Sequence, residues 1–255
     1  MLTNNHAPLF LKAPSAKGLV VFTHGFMGSP RQFDDLADAV HKEGFSAVEL
    51  LLPGHGSTLE AFHVCKFQQW QDHLNAEIES YMNEYTDIWL VGHSMGGLLS
   101  LSAADKFSND NRAGVIRGVF TIASPFKLTM LSGKALRVRL IMIFAKHNNP
   151  VKRAYLDDDS VPVSLSLIWR INKPFNEVKK LMNSARLILG KISTPVFAVY
   201  SVSDETVPKE NLGILESELK NAPFDSLLLQ DSLHAYYTKS ERQEIEKALL
   251  RFVAV

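Results

Sequence analysis

Two kinds of apolar pattern alternate along the chain. Residues 19–23, 45–51, 88–91, 115–122, 195–200 and 224–229 are short apolar runs, rich in branched side chains. Runs of this kind read as strands buried on both faces. Between them the apolar positions recur every three or four residues. Phe33, Leu36, Ala37 and Val40 form one such stripe, ended by Gly44, and Phe67, Trp70, Leu74 and Ile78 form another. Residues 95–107, 208–220 and 239–253 (Ile245, Leu249, Phe252) continue the series. These are helices with one buried face. Strand–helix alternation predicts the α/β class, with a mostly parallel central sheet covered by helices on both faces. Segment 9–12 is expected to add an antiparallel edge strand.

The alternation stops at 126–190. That region has helical stripes (Leu136, Leu140, Ile143, Phe144; Leu181, Ala185, Ile188) and no strand pattern. It is expected to be a small helical cap inserted before the last strands. The core domain would then comprise 1–125 and 191–255. An insertion at this point emerges at the carboxyl ends of the strands, where open α/β sheets bind ligands.

Charge sharpens this division. The whole chain of 255 residues is neutral, with 27 Lys and Arg against 27 Asp and Glu. That argues against a nucleic-acid partner. Residues 127–190 nevertheless hold 12 Lys and Arg against 4 Asp and Glu, a net of +8. Solvated helix faces account for most such runs. Transient contact with an anionic lipid surface is the minority reading. Cys65 is the sole cysteine, which excludes an intrachain disulfide and a Cys-based zinc site. The first six residues show neither a basic nor an apolar targeting signal. The longest uncharged run, 88–104, is broken by Gly92, His93, Ser94, Gly96 and Gly97, so no integral membrane segment is expected. A soluble, cytoplasmic monomer or homodimer is the expectation.

The candidate chemistry begins at Gly92-His93-Ser94-Met95-Gly96-Gly97, a G-x-S-x-G pattern between a predicted strand and a predicted helix. A sharp reversal there lifts the serine above the sheet, and the flanking glycines remove side chains that would clash. A serine hydroxyl needs a base to take its proton and an acid to orient that base. With the chain order serine, acid, histidine, only His234 of nine histidines remains. Asp204, just past a strand and before Pro208, is the chosen acid, with Glu205 and Asp231 as alternatives. The negative charge of acyl transfer needs fixed donors. The backbone N–H groups of Met95 and Phe26 are assigned to that task. Phe26 lies in the loop His24-Gly25-Phe26-Met27-Gly28, where His24 is expected to brace the loop.

Taken together, His24-Gly25-Phe26, Pro53-Gly54-His55-Gly56, the serine motif, Ser203-Asp204-Glu205-Thr206-Val207-Pro208 and His234 resemble the α/β-hydrolase superfamily. Within it the chain is similar to bacterial carboxylesterases and monoacylglycerol-lipase-like enzymes. The likeness spans nearly the whole chain and implies a Ser-His-Asp ester hydrolase that needs no cofactor or metal. The loop Ser232-Leu233-His234 lacks the glycine that often precedes the histidine in such enzymes.

The substrate expected is a small acyl ester with a short to medium acyl chain. His24, Gly25, Met27, His93, Leu128, Met130 and Trp169 are the expected substrate contacts. Leu131, Leu165, Leu167, Ile168, Leu181 and Met182 are further apolar residues of the insertion. Thioesterase, lactonase and carbon–carbon bond hydrolase chemistry would use the same three residues. A non-catalytic small-molecule receptor on the same scaffold, or a partner-binding module using the basic insertion, are the other classes considered. Dehalogenase and epoxide hydrolase chemistry is disfavoured, because Ser94 stands where those enzymes carry Asp.

Overall fold

A computed structural model describes residues 6–108, 114–129, 133–146, 148–157 and 170–254. Seven strands form one sheet: β1 (Leu9–Leu11), β2 (Leu19–Thr23), β3 (Ser46–Leu50), β4 (Ile88–His93), β5 (Ile116–Ile122), β6 (Val196–Ser201) and β7 (Phe224–Leu229). Their order is β1-β3-β2-β4-β5-β6-β7. Only β1 runs antiparallel, pairing Phe10 with Val48 at the sheet edge. The other pairings are parallel, and β4, which delivers Ser94, lies at the centre between β2 and β5.

Alternation along each strand splits the core in two. Val20, Phe22, Ala47, Val91, Phe120 and Val199 point to one face. There they pack against α1 (Asp34–Lys42) through Leu36, Ala37 and Val40, and against α9 (Lys239–Val253) through Ile245, Leu249 and Val253. Leu19, Val21, Leu90, Val119 and Ala198 point to the other face. That face is covered by α2 (Leu59–Val64), α3 (Phe67–Tyr81), α4 (Met95–Ser108), α7 (Asn172–Ile188) and α8 (Glu210–Glu218). The helix after the serine, α4, is buried almost all round because neighbours surround it. A period-two strand pattern feeding helices on both sides is what makes the strands read as continuous apolar runs.

Among the helices outside 126–190, periodicity does not predict α2. α2 is a short turn of helix started by Thr58, whose Oγ1 accepts the Ala61 N–H at 3.2 Å. The signal was present in Thr58-Leu59-Glu60, an N-cap followed by an acid, with Leu59 and Phe62 buried. Six residues carry too little periodicity for that signal to stand out.

Between β5 and β6, α5 (Gly133–Phe144), α6 (Pro150–Asp157) and α7 are described. α7 packs on α4 and carries Val178, Leu181 and Ala185 into the main core. Polar contacts tie this segment to the rest of the chain. Asn211, fully buried, accepts the Phe126 and Lys127 N–H groups on its Oδ1, each at 2.6 Å. Around the start of α7, His63 contacts the Arg170 carbonyl at 2.7 Å, and Glu177 accepts the Phe67 N–H.

Glu49 is an exception to apolar packing. It sits mid-strand in β3, between Leu9 and Phe22, and is 1% exposed. No N–H or O–H of the other described residues donates to its two oxygens. The Asp34 carboxyl at the start of α1 lies close enough for its charge to act on Glu49. Burial, then the charge of Asp34, pushes Glu49 up to about 8.

Candidate active site

The turn from β4 into α4 is as sharp as the G-x-S-x-G pattern requires. Ser94 has φ 52°, in the left-handed region that a side-chain-bearing residue rarely occupies. Its N–H donates to the Ile122 carbonyl at 2.7 Å, which fixes the bend against β5. The glycines are needed for contact distance. A Cβ on Gly96 would fall 1.9 Å from the Thr23 carbonyl oxygen, and one on Gly97 would fall 1.8 Å from Ser124 Oγ. A Cβ on Gly92 would meet the backbone of Gly96 and Gly97 at 2.4 Å. The serine is presented because three backbones approach more closely than any side chain permits.

Three side chains from separate loops converge here. Ser94 Oγ lies 3.1 Å from His234 Nε2, and His234 Nδ1 lies 2.9 Å from Asp204 Oδ2. With Nδ1–H donating to the carboxylate, Nε2 is left to accept from the serine hydroxyl. Asp204 Oδ1 accepts the N–H groups of Thr206 and Val207, each at 2.8 Å. Burial opposes its ionisation, but the His234 charge and hydrogen bond and these two N–H groups hold Asp204 below the ordinary carboxylate value. Burial likewise opposes protonation of His234. The Asp204 charge and hydrogen bond, joined by the Glu205 charge, outweigh it and hold the imidazole above its ordinary value.

Glu241 builds the histidine loop. Its Oε1 accepts the N–H groups of Gln230 and Asp231, and its Oε2 accepts the N–H and hydroxyl of Ser232. The sequence Thr238-Lys239-Ser240-Glu241 has the form of a helix capping box. Thr238 does cap α9, but the glutamate turns back to the loop instead. The His234 carbonyl accepts from His93 Nε2 at 2.9 Å and from the Tyr237 hydroxyl at 3.3 Å.

A cavity of about 170 Å³ opens beside Ser94 and His234. Gly25, Phe26, Gln32, His93, Pro125, Leu128, Tyr155, Phe175 and Val178 are among its walls. Phe26 and Gly25 therefore stand on the Ser94 side of the site, and Met95 opens α4 directly after the serine. Gln32 steadies the loop, its Oε1 accepting the Gly25 N–H at 3.1 Å. Nothing in the sequence marked Gln32, Tyr155 or Phe175, because their place at the site depends on tertiary packing.

Two expected substrate contacts do not line this cavity. His24 is fully buried beneath the loop, donating from Nδ1 to the Gly25 carbonyl and accepting the Leu52 N–H on Nε2. It braces the loop rather than facing a ligand. Burial and the neighbouring His55 keep it well below its ordinary pKa. Met27 packs against the core instead, in a left-handed backbone conformation of φ 62°. His93 does line the cavity, but burial and the nearby His234 push it down to about 3, so it is neutral. Met130, Leu131, Leu165, Leu167, Ile168 and Trp169 lie outside the described residues. Leu181 and Met182 belong to the packing of α7 on the core.

Among the described residues, no group of three or more His, Cys, Asp or Glu side chains is placed to hold a metal ion. No helix of the described residues is long and apolar enough to cross a membrane.

A mostly parallel sheet with a serine at a strained strand–helix turn, joined to a histidine and an aspartate from later loops, defines the α/β-hydrolase fold. Residues 14–236 match the sequence profile of the serine aminopeptidase S33 hydrolases, and the chain belongs to that family. It is 24% identical over 236 residues to the thermostable monoacylglycerol lipase of Bacillus sp. (strain H-257), covering 92% of this chain and 90% of that one. It is 23% identical to the phospholipase YtpA of Bacillus subtilis (strain 168) over 260 residues, covering 94% and 96%. The monoacylglycerol lipase of Paleococcus ferrophilus has the same fold, with a TM-score of 0.71 at 19% identity over 97% of both chains. The chain is thus a hydrolase of the lipase and esterase type.

Proposed function

We propose that the chain is a serine esterase acting through an acyl-enzyme on carboxylic esters of short to medium acyl chains. The observation that carries this is the hydrogen-bonded line from Ser94 through His234 to Asp204. Ser94 Oγ attacks the ester carbonyl while His234 Nε2 takes its proton. Asp204 stabilises the imidazolium that forms and holds its tautomer. The N–H groups of Phe26 and Met95 receive the oxyanion. His234 returns the proton to the departing alkoxide, leaving the acyl group on Ser94. Water, activated by the same imidazole, then releases the acid.

The cavity wall supports this substrate class. Phe26, Leu128, Phe175 and Val178 are apolar and carry no charge, which suits an uncharged acyl group. The monoacylglycerol lipases among the relatives support an acyl ester of this kind. Residues 126–190 serve as the cap over it, with Leu128, Tyr155, Phe175 and Val178 of that segment forming its inner side. The exposed Leu136 and Leu140 of α5, next to Lys134 and Arg137, suit transient contact with an anionic lipid surface.

Hydrolysis of p-nitrophenyl esters from acetate to palmitate, wild type beside Ser94→Ala, tests the proposal. Activity that peaks at one acyl length and vanishes in the variant is expected. Equal turnover by a folded Ser94→Ala protein would sink it.

A further inference from the structure

The turn after β6 carries two adjacent buried carboxylates, and only Asp204 faces the imidazole. Glu205 turns to the other side of the histidine loop. Its Oε2 accepts the backbone N–H of His234 at 3.1 Å. Its Oε1 accepts the Tyr155 hydroxyl and, at 3.3 Å, the hydroxyl of Thr206. Tyr155 comes from α6, in the inserted segment, and lines the cavity beside Ser94 and His234. Residue 234 is thus held through Glu205, and Tyr155 ties that carboxylate to α6.

Two acids side by side in a buried turn are unfavourable unless each finds donors. Asp204 has the imidazole and two backbone N–H groups. Glu205 has one N–H and two hydroxyls, and one of those hydroxyls belongs to the insertion. The nucleophile–base distance is set by where the histidine loop lies, and Glu205 grips that loop at the histidine itself.

We propose that Glu205 and Tyr155 are positioning residues, forming a latch that couples the inserted helices to His234 so that the imidazole meets Ser94 when α6 lies on the loop. This rests on the serine-esterase reading of the site. Tyr155 also joins the substrate cavity to the latch, so an acyl chain that moves the ring moves the restraint on the base. Glu205 has a second, electrostatic effect. The groups facing His234 are Asp204 and Glu205 from the β6 turn, Ser94 and His93 from the end of β4, Tyr155 from α6, and Tyr237 from its own loop. Only the two acids favour the imidazolium, so removing one charge makes His234 easier to deprotonate.

The test compares Glu205→Gln, Tyr155→Phe and the double variant with the wild type. The readouts are kcat and KM for a short p-nitrophenyl ester over a pH series, with fluorophosphonate labelling of Ser94. Glu205→Gln is expected to lower kcat about tenfold, the worth of one charge-assisted hydrogen bond, with KM within about twofold. It is also expected to move the acid limb of kcat/KM to lower pH. Tyr155→Phe keeps the ring, so KM holds while kcat falls, without that move to lower pH. The double variant should be no slower than Glu205→Gln alone, because both changes break one latch. Additive losses, or an acid limb unmoved in Glu205→Gln, would overturn the latch while wild-type turnover left the esterase reading standing. Wild-type protein that neither turns over esters nor labels at Ser94 would overturn both. Should Glu205→Gln fail to fold, the Tyr155→Phe split between kcat and KM decides alone, and an unchanged kcat there overturns the latch.

Discussion

Glu49 offers a stability measurement that isolates one buried group. Its folded pKa stands at about 8 against 4.5 for a free glutamate. Between those values the unfolded chain has released the proton and the folded chain keeps it. Stability is therefore full below about pH 4.5 and falls as pH rises through 8. At pH 7 the group has withdrawn about 3 kcal/mol, at 1.36 kcal/mol per pH unit above 4.5. That is a large share of a usual total of about 5–15 kcal/mol. Glu49→Gln mimics the protonated acid in shape but cannot titrate. Urea unfolding at about pH 5, 6, 7 and 8 should find the variant and wild type nearly equal at the lowest pH. The variant should then gain steadily, reaching an advantage of about 3 kcal/mol near neutrality. A difference that stays constant across the series would refute the reasoning, because it would mean that Glu49 has the same proton affinity folded and unfolded.

Ser94→Ala should cost on the order of 10⁶ in kcat, read with the best p-nitrophenyl ester. Asp204→Asn should cost about 10⁴, because the amide would favour the wrong imidazole tautomer while leaving the fold intact by circular dichroism. His234 must be neutral to act as a base, and its pKa is raised. In the wild type, kcat/KM should therefore rise with pH along a limb whose midpoint lies above 6.5, the ordinary histidine value; a midpoint below it would contradict the part given to Asp204. Gly96→Ala drives a methyl into the Thr23 carbonyl, so a loss of about 3 kcal/mol or more is expected by thermal melting, whether or not activity survives.

The order of elements was legible because it rests on local periodicity. Strands buried on two faces must be apolar throughout, and helices lying on them need one apolar stripe, so 19–23 and the stripe of Phe33, Leu36, Ala37 and Val40 declared themselves without tertiary information. The serine turn was legible for a related reason. Gly92, Gly96 and Gly97 are demanded by backbone contacts within one short segment and its neighbours, so the constraint is written in consecutive residues. His234 followed from chain order, and Asp204 from its place after a strand. In the fold Asp204 meets His234 Nδ1 while Glu205 turns to the His234 backbone, since adjacent residues in a turn point in different directions.

What the tertiary structure alone decided lies between segments distant in the chain. Glu241 reads as a helix cap, yet it cradles the histidine loop. Asn211 reads as an ordinary helix residue, yet it is buried and anchors the start of the insertion. Tyr155 lies in a segment of net positive charge, while its hydroxyl meets Glu205. None of these roles leaves a local mark, because a polar side chain buried against another segment is spelled like one facing water. The apolar pattern determines which surfaces must meet, and only their packing decides which polar groups are trapped between them.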